Sequence, residues 1–489
     1  MKLFLILVLI SSLVLGLFGC GKGVPASGES TAAGSDGTLL AGYGQGDISA
    51  MSGYPLAGGA NSSERISTGY LSHLYSTAIA LTDGKGNTAL LVNVDAVILK
   101  DETTNEIRQW VTKTYGIPSE NILLAAIHQH STPDPYNDQL SEGMSYKKKL
   151  HKGIKESITA ALDDRAPAQL LYTTVQTEAM SFVRNYWTND NTIVGDNYGS
   201  AASGIKAHES DSDKEMRLIK FRREGSEDII LVNFQAHPHL GCSGEFRHDV
   251  HSDWPGVMRD EVSKELGCHV VYMSAASGNL NSNSRISTEN VSKDFREHGH
   301  RAAQYVIGAE GTYTAAAPGE LRCKEVVITC DADHSLDHLV PEASVVSSAR
   351  SQGTEYAQQV MKDYPMIHSV FHATAIVNKA NAPLTVDLPI SVITLGDIAF
   401  TVHPYEMFDT NGMELRSGTV GNDAYTEQLE NPYAMTMIST LANGWNGYIP
   451  SQLGYTNGGY STDITRFAEG SGEKLVTEYL QLLNELHSN

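Results

Sequence analysis

From residue 39 onward, apolar runs of strand length alternate with amphipathic stretches of helix length. Strand faces repeat every two residues and helix faces every 3.6, so a chain that keeps switching between these periods is confined to layered α/β architectures. The strand runs are GNTALLVNVDAVIL (86–99), ENILLAAIHQH (120–130), CHVVYMSAA (268–276) and LRCKEVVITC (321–330). MRLIKFRRE (216–224) and DIILVNFQAH (228–237) form a hairpin over their shared turn, and LPISVITLGDIAFTVHP (388–404) supplies two strands around Gly396 and Asp397. Between them the pattern predicts helices over 101–116, 145–166, 254–267, 295–311, 341–364 and 473–487. The expected fold is α/β, with mixed β-sheets sandwiched between helices, and 39–489 form a single domain.

The first segment has a different character. Lys2 precedes the apolar stretch LFLILVLISSLVLGL, and Leu17-Phe18-Gly19-Cys20 follows. A charged head, an apolar centre and small residues describe an export signal over 1–19. Cysteine directly after Leu-x-Gly resembles a bacterial lipobox, which implies lipidation of Cys20 and a cell-envelope location. Residues 20–38 are rich in Gly, Ser and Ala, the composition of a flexible tether.

With 35 Lys and Arg against 57 Asp and Glu, the net charge is −22, which excludes a nucleic-acid partner that needs a concentrated basic face. Cys242, Cys268, Cys323 and Cys330 are too sparse to staple so long a chain. Cys323 and Cys330 lie an odd number of positions apart on one strand, so they face opposite sides.

Residues of catalytic type gather where apolar strands end. His128 and His130 follow ILLAAI, His237 and His239 follow ILVNFQA, Glu406 follows DIAFTV, and Tyr448 lies after MTMISTLA. On a continuing strand His128 and His130 share a face and project together. Imidazole and carboxylate suit zinc, but these positions are too far apart for a helical HExxH motif, so any site is assembled by the fold.

These segments, taken in order, resemble the catalytic domain of the neutral/alkaline non-lysosomal ceramidases. GYGQGDISAMSGYPLAG, ALLVNVDAVIL, IHQHSTPDP, NFQAHP, HPYEMF and NGWNGYIPSQLGYTNGGY carry the resemblance. It implies one Zn²⁺ per chain held by His128, His237, Glu406 and Tyr448, with His130 and Tyr448 acting in catalysis. It further implies that Arg184, Asn281 and Tyr460 line the substrate site. Asn281 stands where the family has serine, so the resemblance favours a metal-activated water over a serine nucleophile. No immunoglobulin-like domain is expected after the closing helix. The implied function is a zinc-dependent amidase that splits ceramide-like lipids into fatty acid and sphingoid base, with access to the membrane through the anchor at Cys20. The alternatives are a metallohydrolase of another amide, ester or lactone, and a non-catalytic lipid-anchored binding protein.

Overall fold

The structure is a computed structural model that describes residues 37–50, 52–58, 65–137, 145–195, 204–418 and 429–488. The export signal, Cys20 and the tether up to residue 36 lie outside the described residues.

The largest sheet runs His269–Ser274, Ile229–Phe234, Glu215–Arg223, Ala166–Gln176, Leu40–Asp47, Tyr75–Thr82, Thr88–Val94 and Ile122–Ala126, and Thr314–Ala315 pairs beside Ala166–Gln176. A second sheet orders Leu321–Asp331, Thr385–Leu395, Ile398–His403 and Met435–Thr440. Both mix parallel and antiparallel pairs. The hairpin between Glu215–Arg223 and Ile229–Phe234 forms as expected, with Arg217 opposite Asn233.

Both faces of the central strands Tyr75–Thr82, Thr88–Val94, Ile122–Ala126, Ile229–Phe234 and Ile398–His403 are buried, which explains their unbroken apolar runs. Along Tyr75–Thr82, Ile79 and Leu81 enter one core while Ala78 and Ala80 enter another. The first core joins the two sheets, since Leu91, Leu231 and Met273 pack in it with Phe400, Val402 and Met437. The outer faces are covered by helices: Ile107 and Ile154 from Asp101–Tyr115 and Tyr146–Asp163, and Trp254 and Val306 from Asp253–Leu266 and Phe295–Gly308. Leu475 and Leu480 of the closing helix Ser471–Ser488 cover the second sheet. The expected mixed sheets between helices are therefore present, as four layers.

Two expectations need correction. Residues 341–364 are not one helix: Val340–Ala349 and Thr354–Met361 are separated by Gly353, whose φ of 114° no continuing helix tolerates. The strand expected over 120–130 stops at Ala126, and the one over 86–99 stops at Val94. His128 and His130 are therefore not strand neighbours sharing a face.

All four described cysteines are free thiols. Cys323 packs against the inter-sheet core and Cys330 lies in the outer one, the opposite faces that their spacing requires.

Candidate functional site

The loop after Ile122–Ala126 turns sharply at His128, which adopts a left-handed φ of 65°. A non-glycine residue there is strained and is held only by its surroundings. Ile127 N–H donates to Val94 and Gln129 N–H to Ala96. The Gln129 side chain donates to the His251 carbonyl and accepts from Ser131 N–H at 2.7 Å. Asn443 acts as a false strand neighbour, accepting from Leu124 N–H at 2.9 Å and donating to the Ile122 carbonyl at 2.8 Å. His130 presses against Gly58, where a Cβ would come within 2.4 Å of its Nδ1. The buried Arg65 guanidinium caps the His130 carbonyl.

This loop meets the one that follows Ile229–Phe234. The rings of His128 and His237 lie 4.5 Å apart, those of His128 and His130 4.7 Å, and those of His130 and His237 4.9 Å. His237 Nε2 is 3.0 Å from His130 Nε2, and a ring nitrogen of each of the three lies within 4.8 Å of the others. The Ser282 hydroxyl donates to the His237 carbonyl at 2.5 Å.

Glu406–Met407 and Tyr448–Ile449 form a separate two-stranded sheet, paired in parallel with Glu406 opposite Tyr448. Glu406 Oε2 stands 3.2 Å from His128 Nε2. Arg184 lies over both tyrosines, 5.3 Å from the Tyr448 ring and 5.6 Å from that of Tyr460, and the two rings are 6.1 Å apart. Its guanidinium donates to the Gly278 carbonyl at 2.6 Å and to Ser461 Oγ. Asn281 is buried in Leu280–Asn281, which pairs with Phe182–Val183 just before Arg184. Seven of the site residues read from the sequence are thus linked to a neighbour in this group: His128, His130, His237, Glu406, Tyr448, Arg184 and Tyr460. Asn281 sits one residue from Ser282, which holds His237.

The donor chemistry fits a cation. His128 Nδ1 is 2.8 Å from the Val97 carbonyl, which can only accept, so Nδ1 carries the proton. Nε2 then faces a carboxylate at 3.2 Å, and either a proton on Nε2 or a cation between the two satisfies the pair. Burial opposes a charged His128, yet Glu406 and the Val97 carbonyl outweigh it and raise its pKa above the ordinary value. Burial likewise pushes Glu406 up, but His128, Arg184 and the Tyr448 hydroxyl hold it below the usual carboxylate range. Burial, with His128 close by, drives both His130 and His237 well below the ordinary imidazole value, so both are neutral at neutral pH. His237 Nδ1 is buried and has no hydrogen-bond partner. Burial also raises the Tyr448 phenol well above its ordinary pKa.

A model of the family described as neutral/alkaline non-lysosomal ceramidase, N-terminal, matches residues 39–257. Those residues belong to that family. Two solved structures share the fold. Neutral ceramidase from Pseudomonas aeruginosa superposes with a TM-score of 0.66 at 18% identity, over 92% of this chain and 74% of that one. A ceramidase complexed with C2 gives 0.65 at 17% identity, over 92% and 75%. No curated protein matches by sequence. The ceramidase-family segment contributes His128, His130, Arg184 and His237, whereas Asn281, Glu406, Tyr448 and Tyr460 lie beyond the matched residues.

The sequence reading assigned no role to several participants in this site. His239 is half-buried with its ring 4.8 Å from that of His237, and desolvation lowers its pKa to about 4. Its place two residues after His237 was the available signal. Ser282, Ser461, Gln129 and Arg65 hold other site residues by contacts that no local pattern announces. A second group of possible ligands also exists, His368, His372 and Asp463. There His372 Nδ1 accepts from the His368 amide at 3.2 Å and the His372 amide donates to the N-cap Ser369 Oγ at 3.0 Å, so both bonds secure the start of the helix.

Proposed function

We propose that this chain is a zinc-dependent amidohydrolase that cleaves the N-acyl bond of ceramide-like lipids, releasing a fatty acid and a sphingoid base. The observation that carries the reading is His128 Nε2 set 3.2 Å from the Glu406 carboxylate, with ring nitrogens of His128, His130 and His237 gathered within 4.8 Å of one another. His128, His237, Glu406 and Tyr448 would hold the ion. When bound, it supplies activation of water near neutral pH.

The protein's own groups do the rest. His130 is neutral at pH 7 and lies beside His237, so it can take a proton from the attacking water and return it to the departing amine. Tyr448, buried and protonated, is a donor for the negative charge that develops on the carbonyl oxygen. Arg184 keeps the Tyr448 and Tyr460 rings in place and adds positive potential. No serine is required, in keeping with Asn281 at the position the family gives to serine. Lipidation at Cys20, with residues 20–38 as a spacer, would hold the body at the cell envelope near such lipids.

The test is hydrolysis of N-acyl-sphingosines of graded chain length, with and without a chelator. Release of sphingosine that stops with the chelator and returns with Zn²⁺ supports the reading. Zinc-loaded protein that leaves every N-acyl-sphingosine intact overturns it. Turnover of esters or lactones alone would select another hydrolase, and a metal-free, inert protein would select a binding role.

A further inference from the structure

The short helix Tyr460–Ile464 and the threonine that follows it touch the proposed centre at several points. Ser461 Oγ accepts from the Arg184 guanidinium and lies 3.3 Å from the Gly278 carbonyl, to which Arg184 also donates at 2.6 Å. Guanidinium, hydroxyl and carbonyl thus close a triangle. Gly278 is pinned in turn, because its N–H donates to the Met407 carbonyl at 2.8 Å and a Cβ there would meet the Glu406 and Met407 carbonyls at 2.9 Å. Thr465 Oγ1 donates to the Tyr448 carbonyl at 2.7 Å. Tyr460, first in the helix, lies with Tyr448 under Arg184. On the far side Asp463 pairs with His368 at 2.8 Å, which fastens the helix to the helices between 340 and 380. Ser461 and Thr465 are buried, so neither is available to contact bulk solvent instead.

We propose that Ser461 and Thr465 are positioning residues: Ser461 fixes the Arg184 guanidinium over Tyr448, and Thr465 fixes the Tyr448 backbone opposite Glu406. This rests on the amidohydrolase reading above and adds residues to it that touch neither substrate nor ion. Without the Ser461 hydroxyl, Arg184 loses one of the acceptors that fix its plane and keeps the Gly278 carbonyl and its contacts with the tyrosines. Without the Thr465 hydroxyl, the two-residue strand Tyr448–Ile449 loses the bond that holds it from below. A geometric error of this kind acts on the chemical step more than on substrate capture.

The experiment compares full-length Ser461→Ala, Ser461→Thr and Thr465→Val with the parent. The readouts are kcat and KM for an N-acyl-sphingosine, zinc affinity by competition with a chromophoric chelator, and Tm. Removal of groups that orient ligands lowers activity or metal affinity by about 10- to 100-fold. The expected result is a kcat fall of that order for Ser461→Ala and a zinc-affinity fall of that order for Thr465→Val, with KM and Tm little changed. Ser461→Thr, which keeps the hydroxyl, should recover most of the kcat. Parent-like kcat and zinc affinity in both Ser461→Ala and Thr465→Val would overturn the proposal. So would losses that follow Tm alone and that Ser461→Thr does not rescue. If the parent binds zinc but cleaves no N-acyl-sphingosine, the functional reading and the Ser461 role both fail, while the Thr465→Val zinc affinity still decides the Thr465 role. A parent that binds no zinc overturns both.

Discussion

Two groups of histidines in this molecule have similar ligand types and different free valences. In the first, His128 spends its Nδ1 proton on the Val97 carbonyl and turns Nε2 towards Glu406, while His237 Nδ1 is buried without a partner. In the second, His372 spends its Nδ1 lone pair on the His368 amide, which leaves the proton on Nε2 and nothing to offer a cation. Asp463 and His368 there form a pair at 2.8 Å. Counting imidazoles and carboxylates would rank the two alike. What separates them is which ring nitrogen is already bonded, and that is set by the backbone around each ring.

The sharpest way to break this contrast is to remove a ligand from the first group. His237→Ala should abolish bound zinc and lower amide hydrolysis by at least about 10³-fold, within the range that removal of an essential catalytic group costs. Metal analysis and turnover on the same preparation check it, and wild-type zinc content would sink the site. Next in size is Glu406→Gln. The isosteric amide keeps the shape but removes the charge facing His128, so zinc affinity should drop by about 10- to 100-fold. His128 should also lose the partner that raises its pKa, which NMR titration of the metal-free protein would show as a downward shift.

A third class of histidine sharpens the comparison through pH. His403 is fully buried between Tyr405 and Thr401, and burial brings its pKa from 6.5 to about 3; His298 behaves alike. In the unfolded chain these rings protonate near pH 6.5, whereas in the fold they stay neutral until about pH 3. Their contribution to stability is therefore present above pH 6.5 and is lost as pH falls towards 3. Between roughly pH 6.5 and 5 each should cost about 2 kcal/mol. Chemical denaturation of the metal-free protein should show that slope, and His403→Gln should reduce it.

Much of the fold was legible because its strands are buried on both faces and its helices on one. Ile398–His403 and Ser471–Ser488 could be read from apolar period alone. The helix expected over 341–364 failed because Gly353 breaks a pattern that remains helical on both sides. At the site, the residue types at strand ends were visible, and order along the chain tied them to one family. The reason His128 and His130 meet was not visible. A strand would have aligned them by period, but the fold uses a left-handed turn stabilised by Gln129 and Asn443, whose partners lie far along the chain. Ser461 and Thr465 were hidden for the same reason, since their partners Arg184 and Tyr448 become neighbours only after the sheets have packed.

The smallest expected effect tests the second histidine group from the other direction. His372 is the third residue of Val370–Ala380, and its ring helps secure the start of the helix by accepting from the His368 amide. Gln has a side-chain carbonyl that can reach the same amide, and it has no imidazole to give a metal. His372→Gln should therefore cost no more than about 1 kcal/mol, the scale of a perturbed helix cap, and leave zinc stoichiometry at the parent value. His128→Gln keeps a similar polar group but removes the Nε2 facing Glu406, and it should lose the metal. If both variants shed zinc, or if His372→Gln sheds it alone, the distinction drawn from bonded and unbonded nitrogens is wrong. If only His128→Gln does, a cap and a ligand have been told apart by where one proton sits.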